Sequence, residues 1–147
     1  MNKAININAK DRFARLLATE NIDVIHDSKA ETASFNTASR VLRLPRWKEM
    51  SGQLYDMLVA HEVGHALYTP NRIDDVTEIA DRHGVDPMVA KDYVNVVEDA
   101  RIERLMKQKF PGLRRDFISA YNDLMNREFF GDLSGINDMV FIDRINL

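Results

Sequence analysis

A pair of histidines with a glutamate between them stands inside a strongly apolar helical pattern at residues 53–68 of this 147-residue chain. His61, Glu62 and His65 recur at spacings that place them along one side of a helix. The residues around them are uncharged: Leu58, Val59, Ala60, Val63, Ala66 and Leu67. Polar and ionisable side chains are unfavourable in an apolar core unless they are paired. The segment therefore predicts a buried helix whose polar groups share a partner.

The order His61-Glu62-Val63-Gly64-His65 is an HExxH pattern. Two imidazoles four residues apart on a helix lie one turn apart on the same face, where both can bind one tetrahedral zinc ion. Glu62 would accept a proton from zinc-activated water and later deliver it to a leaving amine. The pattern predicts His61 and His65 as zinc ligands and Glu62 as catalytic base. The competing interpretation is a pair of hydrogen-bonded core histidines.

The third ligand must also be histidine, aspartate or glutamate, because the chain contains no cysteine. A catalytic zinc site usually combines three protein ligands with one open position. The downstream alternatives are His83, Asp81, Asp86, Glu98, Asp99 and Glu103. Glu98 is preferred, because it follows the apolar turn at 94–97 on a long predicted helix that can return antiparallel to the first. The competing interpretation is a surface carboxylate paired with Arg101.

Supporting groups are expected around such a centre. Asp99 or Glu103 would accept a hydrogen bond from the outer ring nitrogen of a ligating histidine, which fixes its tautomer. A solvated charged helix face, which would include Arg101, is the competing interpretation. Tyr121 is the preferred oxyanion donor, because it is predicted to face inward, although a core tyrosine has the same pattern. The other possible donors are Tyr68, Tyr93, His83, Arg114 and Arg115.

The hydrophobic periodicity predicts a single α+β domain over residues 1–147. Helices are predicted at 11–20, 53–68, 74–83, 87–110 and 114–129, and strands at 22–25, 32–36 and 40–44. Ser51 is the expected N-cap of the histidine-bearing helix. The inward residues of the outer helices are expected to be Phe13, Leu16, Leu17, Phe117, Tyr121, Leu124 and Met125.

Composition excludes several classes of protein. The net charge of −3 lacks the basic balance of a nucleic-acid-binding domain. No segment approaches the ~18 apolar residues of a membrane span, and the N-terminal residues lack the apolar core of a secretory signal. Basic residues within 101–115 are interleaved with acidic ones, which is typical of a solvated helix face. A cytoplasmic protein without nucleic-acid or membrane partners is expected.

Two segments together resemble a known group of enzymes. HEVGHALYTP at 61–70 and NVVEDARIERLM at 95–106 resemble the gluzincin-type metallopeptidases. Within them they are most similar to the cobaltochelatase-subunit-like and von Willebrand factor A-associated peptidases of bacteria and tailed phages. The resemblance spans roughly residues 35–120, including RVLRLPRW at 40–47 and PGLRRDF at 111–117. It implies a minimal zincin fold, in which a small sheet packs on an active-site helix and a glutamate helix, with Glu98 as third ligand.

The resemblance also raises the question of a missing part. Members of this group are often longer and carry a C-terminal von Willebrand factor A domain, which this sequence does not contain. The resemblance implies a fragment or truncated member of the group, with a partner or a missing C-terminal domain. A phage-encoded protein of this kind would act in the host cytoplasm.

The sequence therefore predicts a zinc-dependent peptidase that hydrolyses peptide or protein substrates. The substrate is expected to add as a strand along an edge at residues 40–44. Two alternatives remain: a zinc-stabilised binding or assembly module that cleaves nothing, and a helical interaction protein without metal. Glu62 argues against the former, because a structural site needs no base.

Overall fold

Five helices and three strands form the main elements of the computed structural model, which describes residues 7–70, 73–131 and 133–138. In chain order they are α1 (Ile7–Ala18), β1 (Asp23–Asp27), β2 (Ser34–Asn36), β3 (Val41–Pro45), α2 (Gly52–Tyr68), α3 (Ile73–His83), α4 (Pro87–Lys109) and α5 (Leu113–Asn126), followed by a short 3-10 turn at Ile136–Asp138. The α+β class predicted from the sequence is confirmed. Within the described residues, none of the helices combines the length and the apolar content that crossing a bilayer requires.

The sheet has the order β1-β3-β2. β2 and β3 form the predicted hairpin, an antiparallel pair in which Phe35 lies opposite Leu42. β3 also pairs in parallel with β1, where Val24 lies opposite the same Leu42. The expectation that residues 40–44 form a substrate-binding edge is therefore wrong. β3 is the central strand, both its neighbours take up its backbone hydrogen bonds, and the outer strands of the described sheet are β1 and β2.

α2 is the central helix of the fold. Its N-terminus is capped as predicted, since the Ser51 hydroxyl accepts a hydrogen bond from the Leu54 amide at 3.1 Å. Leu54, Val59 and Val63 are fully buried, and the helix packs against α1, α4, α5 and the β2–β3 hairpin. Because several elements enclose one side of α2, a polar residue buried there, such as Glu62, needs partners on those elements.

α4 approaches α2 closely at Gly64. A Cβ atom added to Gly64 would lie 3.0 Å from Ile102 Cδ1 and 3.2 Å from Met106 Cγ. Ile102 and Met106 are fully buried in this contact. The absence of a side chain at Gly64 thus lets α4 lie directly against the histidine-bearing turn of α2, which brings the carboxylates of α4 within reach of the imidazoles.

Some of the predicted inward residues lie outside the packed faces. Leu16 is 76% exposed, because α1 packs on the core through Ala14, Leu17 and Ala18. Met125 is 49% exposed, because α5 packs through a stripe that includes Phe117 and Leu124. Tyr121 retains 36% exposure at the margin of that stripe. The predictions for Leu16 and Met125 were wrong because neighbouring apolar positions on a helix compete for one face, and the partner helix selects among them.

Candidate metal centre

The two histidines of α2 meet one carboxylate of α4. The His61 and His65 rings lie edge to face with centroids 5.2 Å apart. Asp99 Oδ1 lies 3.7 Å from His61 Nε2 and 3.2 Å from His65 Nε2. Among the described residues, His61, His65 and Asp99 form the group of potential metal ligands whose donor atoms converge, all within 4.8 Å of one another.

The spacing of these atoms suits a small divalent cation. Zinc bonds of ~2.0–2.2 Å in a tetrahedron put neighbouring ligand atoms ~3.4 Å apart. The two nitrogen-to-oxygen distances of 3.2 and 3.7 Å lie on either side of that value. Two imidazoles and a carboxylate are also a donor set that zinc accepts. These three residues could therefore hold a zinc ion.

The outer nitrogen of His61 is held by Glu103. His61 Nδ1 lies 3.1 Å from Glu103 Oε1, and the same carboxylate accepts hydrogen bonds from Tyr121 at 2.6 Å and Lys107 at 3.0 Å. Burial acts to raise the pKa of Glu103, but the three hydrogen bonds outweigh it and lower the pKa to about 2. An ionised carboxylate only accepts hydrogen bonds, so it favours a proton on Nδ1 and leaves Nε2 free to bind a metal.

These contacts separate the two carboxylates that the sequence could not distinguish. Glu103 contacts Nδ1 of His61, whereas Asp99 faces Nε2 of both rings. Burial acts to lower the pKa of His61, yet the hydrogen bond to Glu103 and the charges of Glu62 and Asp99 raise it overall. The negative groups around the imidazole thus favour a cation at this position.

Glu98, the third ligand preferred from the sequence, makes other contacts. Its Oε1 accepts a hydrogen bond from the Thr69 hydroxyl at 2.5 Å, and Arg101 donates to both carboxylate oxygens at 2.7 Å. The Arg101 hydrogen bonds are the largest cause of the lowered pKa of Glu98. Adjacent residues point ~100° apart on a helix. With Asp99 directed at the histidines, Glu98 is turned toward the C-terminal end of α2.

Thr69 links Glu98 to the second histidine. His65 Nδ1 lies 2.9 Å from Thr69 Oγ1, one residue beyond the end of α2. Sequence reasoning missed this threonine. The available signal was a hydroxyl residue four positions after His65, the spacing at which helical side chains meet. It also missed Gly64, although a glycine inside an apolar helix indicates close packing.

Glu62 is buried beside the two histidines, with 7% of its surface exposed. Burial raises its pKa, which the charges of His61 and His65 oppose. A hydrogen bond from the backbone amide of Phe35, in the outer strand β2, acts in the same direction as those charges. A carboxylate whose pKa is raised toward neutrality is a more effective general base than an exposed one.

The remaining predicted residues lie in other places. The hydroxyl of Tyr121, the preferred oxyanion donor, is hydrogen-bonded to Glu103. Asp86 caps α4 by accepting a hydrogen bond from the Met88 amide at 2.7 Å. His83 and Tyr93 line a separate apolar cavity of about 420 Å³ between α3 and α4. Asp81, Arg114 and Arg115 are exposed.

Comparisons with protein-family models, curated proteins and solved structures found no match to this chain. The relation to gluzincin-type peptidases, and the activity that it implies, therefore stay predictions.

Proposed function

We propose that this protein is a zinc-dependent peptidase in which His61, His65 and Asp99 bind the metal and Glu62 is the catalytic base. The observation that carries the proposal is the orientation of the two imidazoles. Nε2 of both rings faces Asp99. Nδ1 of His61 contacts Glu103, and Nδ1 of His65 contacts Thr69. Asp99 takes the place that the sequence had assigned to Glu98, because its oxygen is the one that lies near both Nε2 atoms.

The accessibility of the centre favours catalysis over a structural role. Structural zinc sites are closed by four protein ligands, whereas catalytic sites leave one position open. The converging group found among the described residues has three members. Their side chains retain 20% exposure at His61, 19% at His65 and 37% at Asp99. Water and substrate can therefore reach this side of the site.

Glu62 supplies the function that a structural site would not need. Zinc bound by the three ligands would act as a Lewis acid and activate a water molecule. Glu62 is adjacent to the ligands and is left out of the converging set, so its carboxylate is available to accept the proton of that water. It would then deliver the proton to the leaving amine.

β2 provides the surface on which we place the substrate. It is an outer strand of the described sheet, and its Phe35 amide is hydrogen-bonded to the Glu62 carboxylate. An extended peptide can add to such an edge through main-chain hydrogen bonds to the backbone groups that Glu62 leaves free. This placement replaces residues 40–44 and brings the peptide backbone beside the base.

The test compares wild-type protein with Glu62→Gln. Zinc content is measured after dialysis, and cleavage of an unfolded protein substrate is followed by mass spectrometry. We expect one zinc per chain in both proteins and cleavage by the wild type alone. Equal cleavage by both would refute the role of Glu62. Zinc binding without cleavage by either would favour the assembly module, and absence of zinc binding would refute the metal site itself.

A further inference from the structure

The two histidines of the centre are held in different ways. His61 Nδ1 contacts the carboxylate of Glu103 directly, at 3.1 Å. His65 Nδ1 contacts a neutral hydroxyl, that of Thr69, at 2.9 Å. A hydroxyl can donate or accept, so on its own it would not decide which nitrogen of His65 carries the proton. The group beyond the hydroxyl has to decide this.

Glu98 is that group. The Thr69 hydroxyl lies 2.5 Å from Glu98 Oε1, and Arg101 donates to both oxygens of this carboxylate at 2.7 Å. An ionised carboxylate has no proton to give. The single hydroxyl proton of Thr69 must therefore point at Glu98, which leaves a lone pair of Oγ1 for His65. His65 must then donate its Nδ1 proton, and its Nε2 lone pair faces Asp99 Oδ1 at 3.2 Å, across the position that a cation would take.

We propose that Thr69 and Glu98 form a positioning relay that holds His65 in the tautomer able to bind metal through Nε2. The relay runs from Arg101 through Glu98 and Thr69 to His65, and it joins the end of α2 to α4. Arg101 anchors both ends, because it also donates to the Tyr68 carbonyl at 2.7 Å. Thr69 and Glu98 are thus positioning residues rather than ligands, and the importance of the relay for activity rests on the zinc site proposed above.

The relay explains why an acidic residue next to Asp99 does not compete for the metal. A free Glu98 carboxylate one residue before the ligand could swing toward the cation. The two hydrogen bonds from Arg101 and the one from Thr69 occupy both of its oxygens. Which nitrogen of a ligating histidine binds the metal is set by the hydrogen bond at its other nitrogen, and outer hydrogen-bond partners typically change metal affinity by ~10–100-fold.

The direct test is the tautomer of His65 in the metal-free protein. Long-range proton–nitrogen NMR spectra of the imidazole rings are recorded at about pH 8, above the usual histidine pKa of about 6.5. Signals are assigned with His65→Asn. We expect the Nδ1–H tautomer in wild type and in Thr69→Ser, which keeps the hydroxyl. In Thr69→Val the hydroxyl is lost, and we expect the Nε2–H tautomer to become populated.

Zinc affinity provides the second measurement. Thr69→Val is expected to weaken zinc binding by ~10–100-fold, and Thr69→Ser to restore it to within a few-fold of wild type. Thr77→Val, at an exposed position of α3, is the matched control and should bind zinc as wild type does. An Nε2–H tautomer in the wild type would overturn the proposal, as would unchanged tautomer and affinity in Thr69→Val. The NMR measurement uses no metal, so it decides the relay even if the protein cleaves no peptide.

Discussion

Glu103 accepts a hydrogen bond from His61 across the contact between α4 and α2, with 3.1 Å between Oε1 and Nδ1. Glu103 is 8% exposed and carries its charge inside the protein, where the hydrogen bonds of Tyr121 and Lys107 also stabilise it. A buried carboxylate with three donors is strongly favoured in its ionised form. This interaction orients the first histidine of the centre and depends on the packing of the two helices.

The identity of the third ligand can be tested by replacing each of the two adjacent acids of α4 with its amide. Asp99→Asn removes the oxygen that lies near both Nε2 atoms, so zinc affinity should fall by more than ~100-fold. Glu98→Gln disturbs the relay to His65 and should cost ~10-fold. Competition titration against a chelator measures both. A larger loss in Glu98→Gln than in Asp99→Asn would return Glu98 to the role of ligand.

The stability of the metal-free protein should depend on Glu103 at acid pH. Its pKa in the folded protein is lowered from 4.5 to about 2, so folding favours the ionised form. The resulting stabilisation is complete above about pH 4.5 and is lost as the pH falls toward 2, with a magnitude of about 3 kcal/mol.

Urea unfolding of wild type and Glu103→Gln between these pH values measures this contribution. The free energy of unfolding of the wild type should fall more steeply with decreasing pH than that of the variant, in which this group no longer titrates. Other carboxylates titrate in both proteins and cancel in the difference. Parallel curves for the two proteins would show that Glu103 has an ordinary pKa in the folded state.

Gly64→Ala tests the close approach of α2 and α4. The added Cβ would lie 3.0 Å from Ile102 Cδ1 and 3.2 Å from Met106 Cγ, so the helices must separate. Overpacking of this kind typically costs ~1–3 kcal/mol, which should outweigh the ~1 kcal/mol that alanine gains over glycine in a helix. Zinc affinity should also fall, since Asp99 lies on the displaced helix.

Gly52→Ala is the matched control for that substitution. Gly52 is the first residue of the same helix, and a Cβ added there meets no atom within 4 Å. Chemical denaturation should show this variant to be as stable as wild type or slightly more stable. If both alanine variants had wild-type stability and zinc affinity, the contact at Gly64 would not hold the centre together.

Local patterns in the sequence predicted much of the fold. The N-cap at Ser51, the hairpin of β2 and β3 and the limits of α2 follow from turn chemistry and periodicity, which act over a few residues. The pairing of β1 with β3 did not follow, because a parallel contact between strands distant in the chain leaves no local pattern. The sequence therefore predicted the hairpin but not which of its strands is central.

The sequence by itself determined the histidine pair, the glutamate between them and the acidic helix that faces them, because these depend on spacing along single helices. Only the tertiary structure decided which acid of α4 reaches the imidazoles. That choice depends on the rotation of α4 about its axis, where one residue corresponds to ~100°. The rotation is set by Ile102 and Met106 packing on Gly64. It directs Asp99 and Glu103 toward the histidines and leaves Glu98 to Thr69 and Arg101.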